Sequence, residues 1–328
     1  MNSFGKIFRV TIWGESHGDG IGVSIDGAGS GVELSVDDLT TDIDRRKSGA
    51  RGTTPRKESD TPKIVSGVFN GYTTGAPLTI LFENENTISR DYSNLTRHFR
   101  PSHADRVASV KYAGFQDYRG GGHFSGRVTL PLVAAGAVAK RVLGDGVVVS
   151  SELIELHGES DKSRFDEIVE RAVKSHDSVG GVIECRVKGI PTGLGEPFFD
   201  SVESCLAHLL FSVPAVKGVE FGAGFGSTKM MGSENNDMIL DGNGTTETNN
   251  AGGINGGISN GNEIVVRVAV KPTPSIASRQ MTYNTESGGV EELIIKGRHD
   301  ACIALRAGVV IEAAVAIGLA DLMLTARL

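Results

Sequence analysis

Two stretches constrain the fold of this chain more than any others. Residues 128–143 and 303–324 are rich in helix-forming residues and carry apolar side chains nearly all the way round. A surface helix has one apolar stripe, whereas a helix without a wet face must be covered on every side. The strand-like runs at 147–154, 182–188, 218–221 and 263–271 mostly alternate apolar and polar residues. That pattern predicts antiparallel sheets with one solvated face, not a buried parallel sheet. Sheets with one apolar face and helices that need cover fit together when the helices pack between sheets. The expected class is α+β, as one domain over residues 1–328. Further strands are predicted at 8–13, 63–71 and 78–83. Further helices are predicted at 34–47, with Ser35 as N-cap, and at 163–175 and 201–212. Residues 84–104 read as irregular.

At 328 residues the chain can bury a large core without disulfide or metal staples. Its 44 glycines are about twice the usual share and follow no collagen period. Such an excess serves turns, or backbone that must approach a ligand closely. The net charge of −7 argues against a nucleic-acid binder. Residues 45–57 nonetheless hold six cations (Arg45, Arg46, Lys47, Arg51, Arg56 and Lys57) and no acid, the mark of a local anion site. The three cysteines, Cys185, Cys205 and Cys302, lack metal spacing and read as free thiols of a reducing compartment. Residues 1–15 lack the apolar run of a signal peptide, and Arg306, Glu312 and Asp321 interrupt the most apolar stretch. A cytoplasmic protein without a membrane span is expected.

Five segments carry candidate chemistry. His17 sits in Gly14-Glu15-Ser16-His17-Gly18, on permissive backbone where an imidazole can exchange a proton near neutral pH; a plain loop histidine fits as well. His103, in Arg100-Pro101-Ser102-His103-Ala104-Asp105, lies ahead of a helix that Ser102 or Asp105 could cap. Residues 119–127, RGGGHFSGR, open the first all-apolar helix, and glycines before a helix N-terminus flanked by arginines suit a phosphate. Residues 250–261 pair glycines with amides and lead into a strand ending at Lys271-Pro272-Thr273-Pro274-Ser275, again suited to an anion. Gly297-Arg298-His299-Asp300 precedes the second all-apolar helix, where Asp300 is a sensible cap and Arg298 could meet an anion. No nucleotide fingerprint or metal motif is present.

Together these segments closely resemble chorismate synthase, over residues 5–306. The resemblance rests on GESHG at 14–18, the glycine block before Arg127 and GRHDAC at 297–302. DRR at 44, VSGVFNGYTTG at 65, RPSHAD at 100, GLGEPFFD at 193, VKGVEFG at 216 and KPTPSI at 271 add to it. It implies a β-α-β sandwich, with buried helices between two antiparallel sheets, assembled as a homotetramer. It implies the anti-1,4-elimination of phosphate from 5-enolpyruvylshikimate 3-phosphate, with reduced FMN and no net redox change. By the same resemblance, Ser16, Arg46, Arg51 and Arg127 surround substrate and departing phosphate. His17 acts as an acid near the reacting groups, His103 protonates or steadies the reduced flavin at its N1 side, and Asp300 relays the proton taken from substrate C6. FMN contacts carry over to His123, Phe124 and Ser125, to Asn250, Ala251 and Gly256, to Lys271, Pro272, Thr273, Pro274 and Ser275, and to Arg298. Many family members have Arg-Ser-Ser where this chain has His123-Phe124-Ser125. The compact chain favours a form supplied by an external flavin reductase, with NADPH used only by bifunctional members.

Overall fold

The computed structural model describes residues 1–49, 51–54, 59–85, 97–295 and 299–326. The N-terminal half contains β1 (Ser3–Phe4), β2 (Arg9–Gly14), β3 (Gly20–Asp26), β4 (Ser30–Glu33), α1 (Val36–Arg46), β5 (Lys63–Ser66), β6 (Val68–Phe69), β7 (Tyr72–Thr74), β8 (Leu78–Glu83), α2 (Asp105–Lys111) and α3 (Thr129–Leu143). There follow β9 (Val148–Leu156), α4 (Phe165–Lys174), β10 (Gly181–Lys188), α5 (Val202–Ser212), β11 (Val216–Phe221), α6 (Gly232–Asn235), β12 (Ile254–Asn255), β13 (Ile258–Ser259), β14 (Ile264–Val270), β15 (Gln280–Tyr283), β16 (Val290–Leu293) and α7 (Ala304–Ala326). All strand pairs are antiparallel. One sheet has the order β1-β2-β3-β8-β5 and another β11-β14-β10-β9, with three smaller sheets beside them.

The two all-apolar stretches are α3 and α7, and they pack on each other. Helix α3 also covers β3 and β8, while α7 covers β9 and β10. Their contact is close because Gly136 has no side chain: a Cβ there would fall 2.3 Å from Cβ of Ala313. Although α7 is long and apolar enough to cross a membrane, 83% of its most apolar window is buried in the protein. Its three charges are all committed. Arg306 holds Asp300. Asp321 accepts the backbone N–H groups of Lys6, Ile7 and Phe8, fixing the turn into β2.

Glu312 is fully buried. It accepts two bonds from Arg45 of α1 (2.8 and 2.6 Å), one from Lys140 of α3 (2.9 Å) and one from the Ser151 hydroxyl of β9 (2.8 Å). Asp42 of α1 completes the group through Arg45 and Lys140. Burial by itself would raise the Glu312 pKa, but these donors outweigh it and hold it below the usual carboxylate range. One carboxylate therefore ties α1, α3 and β9 to α7.

Ser35 caps α1 as expected, in a capping box closed by Asp38. One expectation needs correction, and two features lie beyond what the sequence predicts. The predicted strand at 63–71 is broken at Gly67 (φ +87°), where a Cβ would lie 2.5 Å from Cα of Leu78. The loop after β2 is only residues 15–19, because β3 already begins at Gly20. Gly22 lies opposite Trp13 in that pairing and leaves room for the indole. The β15–β16 hairpin left no apolar alternation to read: Gln280, Thr282, Glu291 and Glu292 make half of its residues polar. Of the stretch expected to be irregular, residues 86–96 lie outside the described residues.

Removing the buried carboxylate would leave Arg45 and Lys140 to share Asp42 alone. Glu312→Ala should cost about 3–5 kcal/mol of unfolding free energy, read as a lowered urea midpoint.

Candidate active site

A cavity of about 990 Å³ opens among β1–β2, α3, α5, α7 and the loops that bear the sequence candidates. That is the upper range of small-molecule sites, large enough for two ligands side by side. Ser16, Arg46, His103 and Arg127 line it, as do His123, Phe124 and Ser125. Lys271, Thr273, Pro274, Ser275 and Asp300 complete the predicted residues found there.

The glycine block organises the site. Gly120, Gly121 and Gly122 all have positive φ (59°, 83° and 54°), a run that side chains would make costly. A Cβ on Gly120 would lie 2.4 Å from Cδ2 of His17, and one on Gly121 3.5 Å from Nε2 of His103. One bare turn therefore brings together two histidines far apart in sequence. His17 is buried, against a glycine that lines the cavity. The block does not run directly into α3: a short helical turn, residues 126–128, intervenes, with the Ser125 hydroxyl accepting the N–H of Arg127.

His103 is oriented through its other nitrogen. Nδ1 lies 2.6 Å from Asp105 Oδ1 and 3.0 Å from Arg100 Nη2, which fixes the ring and leaves Nε2 toward the glycine turn. Asp105 also accepts from Arg100 at Nε (2.8 Å), Nη2 (2.7 Å) and the backbone N–H (3.0 Å). Burial would raise its pKa, but Arg100 and His103 hold it well below the usual carboxylate range. Neither Ser102 nor Asp105 caps α2: Ala104 stands at the cap without a side-chain bond, because Asp105 is spent on Arg100 and His103.

The cationic wall is built by α1 and the turn before α3. Arg46 is buried; its Nε donates to the Thr129 hydroxyl and Nη2 to the Gly126 carbonyl, both at 2.9 Å. Arg127 donates to Asn84 Oδ1 and to Asp60, both at 2.7 Å. Asp60 is also 3.7 Å from Arg46, so two guanidiniums share one buried carboxylate. Burial, with repulsion from Arg306 and Arg127, pushes the Arg46 pKa down to about 9. Asp300 does not cap α7, which starts four residues later. It accepts the Thr54 N–H (2.9 Å) and two bonds from Arg306 (3.0 and 2.8 Å).

Several predicted residues are not brought to this cavity. Arg51 pairs with Glu170 of α4 at 3.0 Å and is largely exposed. The backbone N–H groups of Asn250 and Ala251 are held by Asp237 (2.7 and 2.9 Å), Gly256 sits in the β12–β13 turn, and Pro272 packs on Gly180. Arg298 lies outside the described residues. Sequence reasoning missed Asp60, Asn84, Thr129 and Arg306, which orient the predicted cations and Asp300. Arg100 was in a quoted segment but was not singled out. The three cysteines are unbridged, as expected, and burial raises the pKa of each.

The cavity's chemistry fits a flavin phosphate. It has apolar walls from Leu132, Leu209 and Ile303, and a lysine at one strand end. The buried Thr273 Oγ1 in its wall has no hydrogen-bond partner among the described residues, an unmet demand that a ligand oxygen could answer.

The family model described as chorismate synthase matches residues 8–324. A chorismate synthase of Chitinophaga pinensis is 60% identical over 324 residues, covering 99% of this chain and 97% of that one. One from Dehalococcoides mccartyi is 46% identical over 353 aligned positions, covering 99% and 97%. Among solved structures, a crystal structure of chorismate synthase superposes with a TM-score of 0.76 at 28% identity, covering 98% of this chain and 93% of that chain.

Gly120 is the point of the turn that meets His17. Gly120→Ala should cost about 1–3 kcal/mol from its left-handed backbone, measured by urea unfolding. It should also shift the imidazole NMR signals of His17 while leaving those of the remote His157 in place.

Proposed function

The chain belongs to the chorismate synthase family, and from that premise we propose how its cavity performs the family's elimination. Chorismate synthase converts 5-enolpyruvylshikimate 3-phosphate to chorismate and phosphate, the last common step of aromatic amino acid biosynthesis. It is a carbon–oxygen lyase, and the family uses reduced FMN. The observation that carries the assignment of roles is the bare turn of residues 120–122, with His17 on one side and His103 on the other, at a cavity walled by Arg46 and Arg127.

The substrate is a phosphorylated dicarboxylate. Arg46 and Arg127, already fixed by Thr129, Gly126, Asn84 and Asp60, meet the charge that grows on the departing phosphate without having to reorganise. Ser16 and Arg51 stand as further substrate contacts, Arg51 after release from Glu170. His17 supplies a proton to the leaving group. Asp300, held by Arg306 and the Thr54 N–H, receives the proton lost from the ring carbon. His103, fixed through Asp105, presents Nε2 to the flavin. His123, Phe124, Ser125 and residues 271–275 form the flavin wall; Asn250, Ala251, Gly256 and Arg298 complete the set that family resemblance gives. Reduced FMN, when bound, supplies electron density to the allylic system while the C–O bond breaks and takes it back afterwards. The architecture is read as a β-α-β sandwich forming one domain over residues 1–328. The protein is read as a cytoplasmic homotetramer that draws reduced flavin from an external reductase and uses NADPH only if bifunctional.

Anaerobic incubation with 5-enolpyruvylshikimate 3-phosphate and dithionite-reduced FMN should release phosphate; no release would refute the reading. His17→Ala and His103→Ala should each lower kcat by about 10²–10⁴-fold with FMN still bound. Arg46 is a cation below its pKa, so its contribution is present below about pH 9 and lost above. KM for the substrate should climb between pH 8 and 10 in the wild type, and should start high without that limb in Arg46→Met.

A further inference from the structure

Seven of the described lysines and arginines line the cavity, and five of them are paired with a carboxylate. Arg46 and Arg127 share Asp60, Lys47 has Asp44, Arg100 has Asp105 and Arg306 has Asp300. Lys217 and Lys271 are the exceptions: neither is within salt-bridge distance of a carboxylate among the described residues. Lys271 donates to the Ser102 carbonyl at 2.7 Å. Across the β11–β14 pairing the Lys271 N–H bonds the carbonyl of Ala215, two residues before Lys217, and the Lys217 charge reaches Lys271 from there.

The backbone is distorted to place Lys217 there. Val216 pairs with Val270 and Gly218 with Ala269, so Lys217 is the extra residue of a β-bulge. Bulges re-aim a side chain that strand alternation would send elsewhere. Ala215, just before it, has φ +75°, and Ser102, whose carbonyl holds Lys271, has φ +57°. A left-handed backbone at a residue with a side chain is strain that clusters at ligand sites. Two like charges side by side repel, and burial and Lys217 both lower the Lys271 pKa. Such a pair needs an anion of close to two charges, which a phosphomonoester has at neutral pH. The Thr273 hydroxyl, without a hydrogen-bond partner among the described residues, is two residues from Lys271. The expected arginine is also missing: His123 stands in its place, with Nδ1 engaged by the Gly14 carbonyl at 2.8 Å.

We propose that Lys217, set by the β-bulge beside Lys271, is a binding residue for the flavin phosphate and supplies the cation that His123 does not. This rests on the FMN reading above. The substrate is also a phosphomonoester, so the test must separate the two. Binding of FMN and of riboflavin, which lacks the phosphate, is measured by flavin fluorescence quenching on wild type, Lys217→Met and Lys217→Arg, and KM for the substrate is measured on the same proteins. Lys217 is exposed, so both variants should fold, with circular dichroism as control. Lys217→Met should weaken FMN about tenfold or more, as expected for loss of a charged hydrogen bond, leave riboflavin unchanged, and be largely rescued by Lys217→Arg. Unchanged FMN affinity, or equal loss for both flavins, would overturn the proposal. So would a raised substrate KM with FMN affinity intact, which would assign the lysine to the substrate. In each of those cases the FMN reading survives. A wild type that bound no FMN would remove that reading and the proposal with it.

Discussion

The Glu312 carboxylate is the constraint on which the arrangement depends. A charge with no solvent exposure is tolerable only with nearly ideal partners, and Glu312 draws them from α1, α3 and β9. Helix packing by apolar contact alone permits sliding, because any facing surfaces of similar volume will do. The buried ion group permits one register. It fixes the C-terminal end of α1, and the residue after Arg45 is the cavity's Arg46. Arg306, two turns earlier on α7, holds Asp300. Core and site are thus tied through the same helices.

Within the site, positioning is done by groups that do not meet substrate. Asp60 and Asn84 aim Arg127, Thr129 and Gly126 aim Arg46, and Asp105 sets the ring of His103. The cations are largely neutralised where they stand, which keeps a crowded cationic wall from pushing itself apart. Lys217 and Lys271 break that pattern, and there the backbone is strained.

Much of this was legible early. The all-apolar helices, the Ser35 cap and the alternating strands follow from local pattern, which the final structure agrees with. The glycine block was readable as an anion turn, but the room it makes for two histidines was not. Its left-handed residues make room for His103, close in sequence, and for His17, about a hundred residues away. Asp300 and Asp105 both looked like helix caps because a lone acid before a helix usually is one. Each found a stronger partner in an arginine, Arg306 and Arg100. Hairpin β15–β16 escaped notice because its polar strands bury little.

Sequence by itself pointed to the family, the classes of element and twelve of the residues that line the cavity, because these depend on local residue type and spacing. Only the tertiary structure decided which of those residues meet. It brought His17 and His103 to one turn, gave Arg46 and Arg127 a shared carboxylate in Asp60, and turned Arg51 toward Glu170. It also set Lys217 beside Lys271, through a bulge in the β11–β14 pairing. Such pairings depend on strand register and helix crossing, and those are fixed by contacts between distant segments.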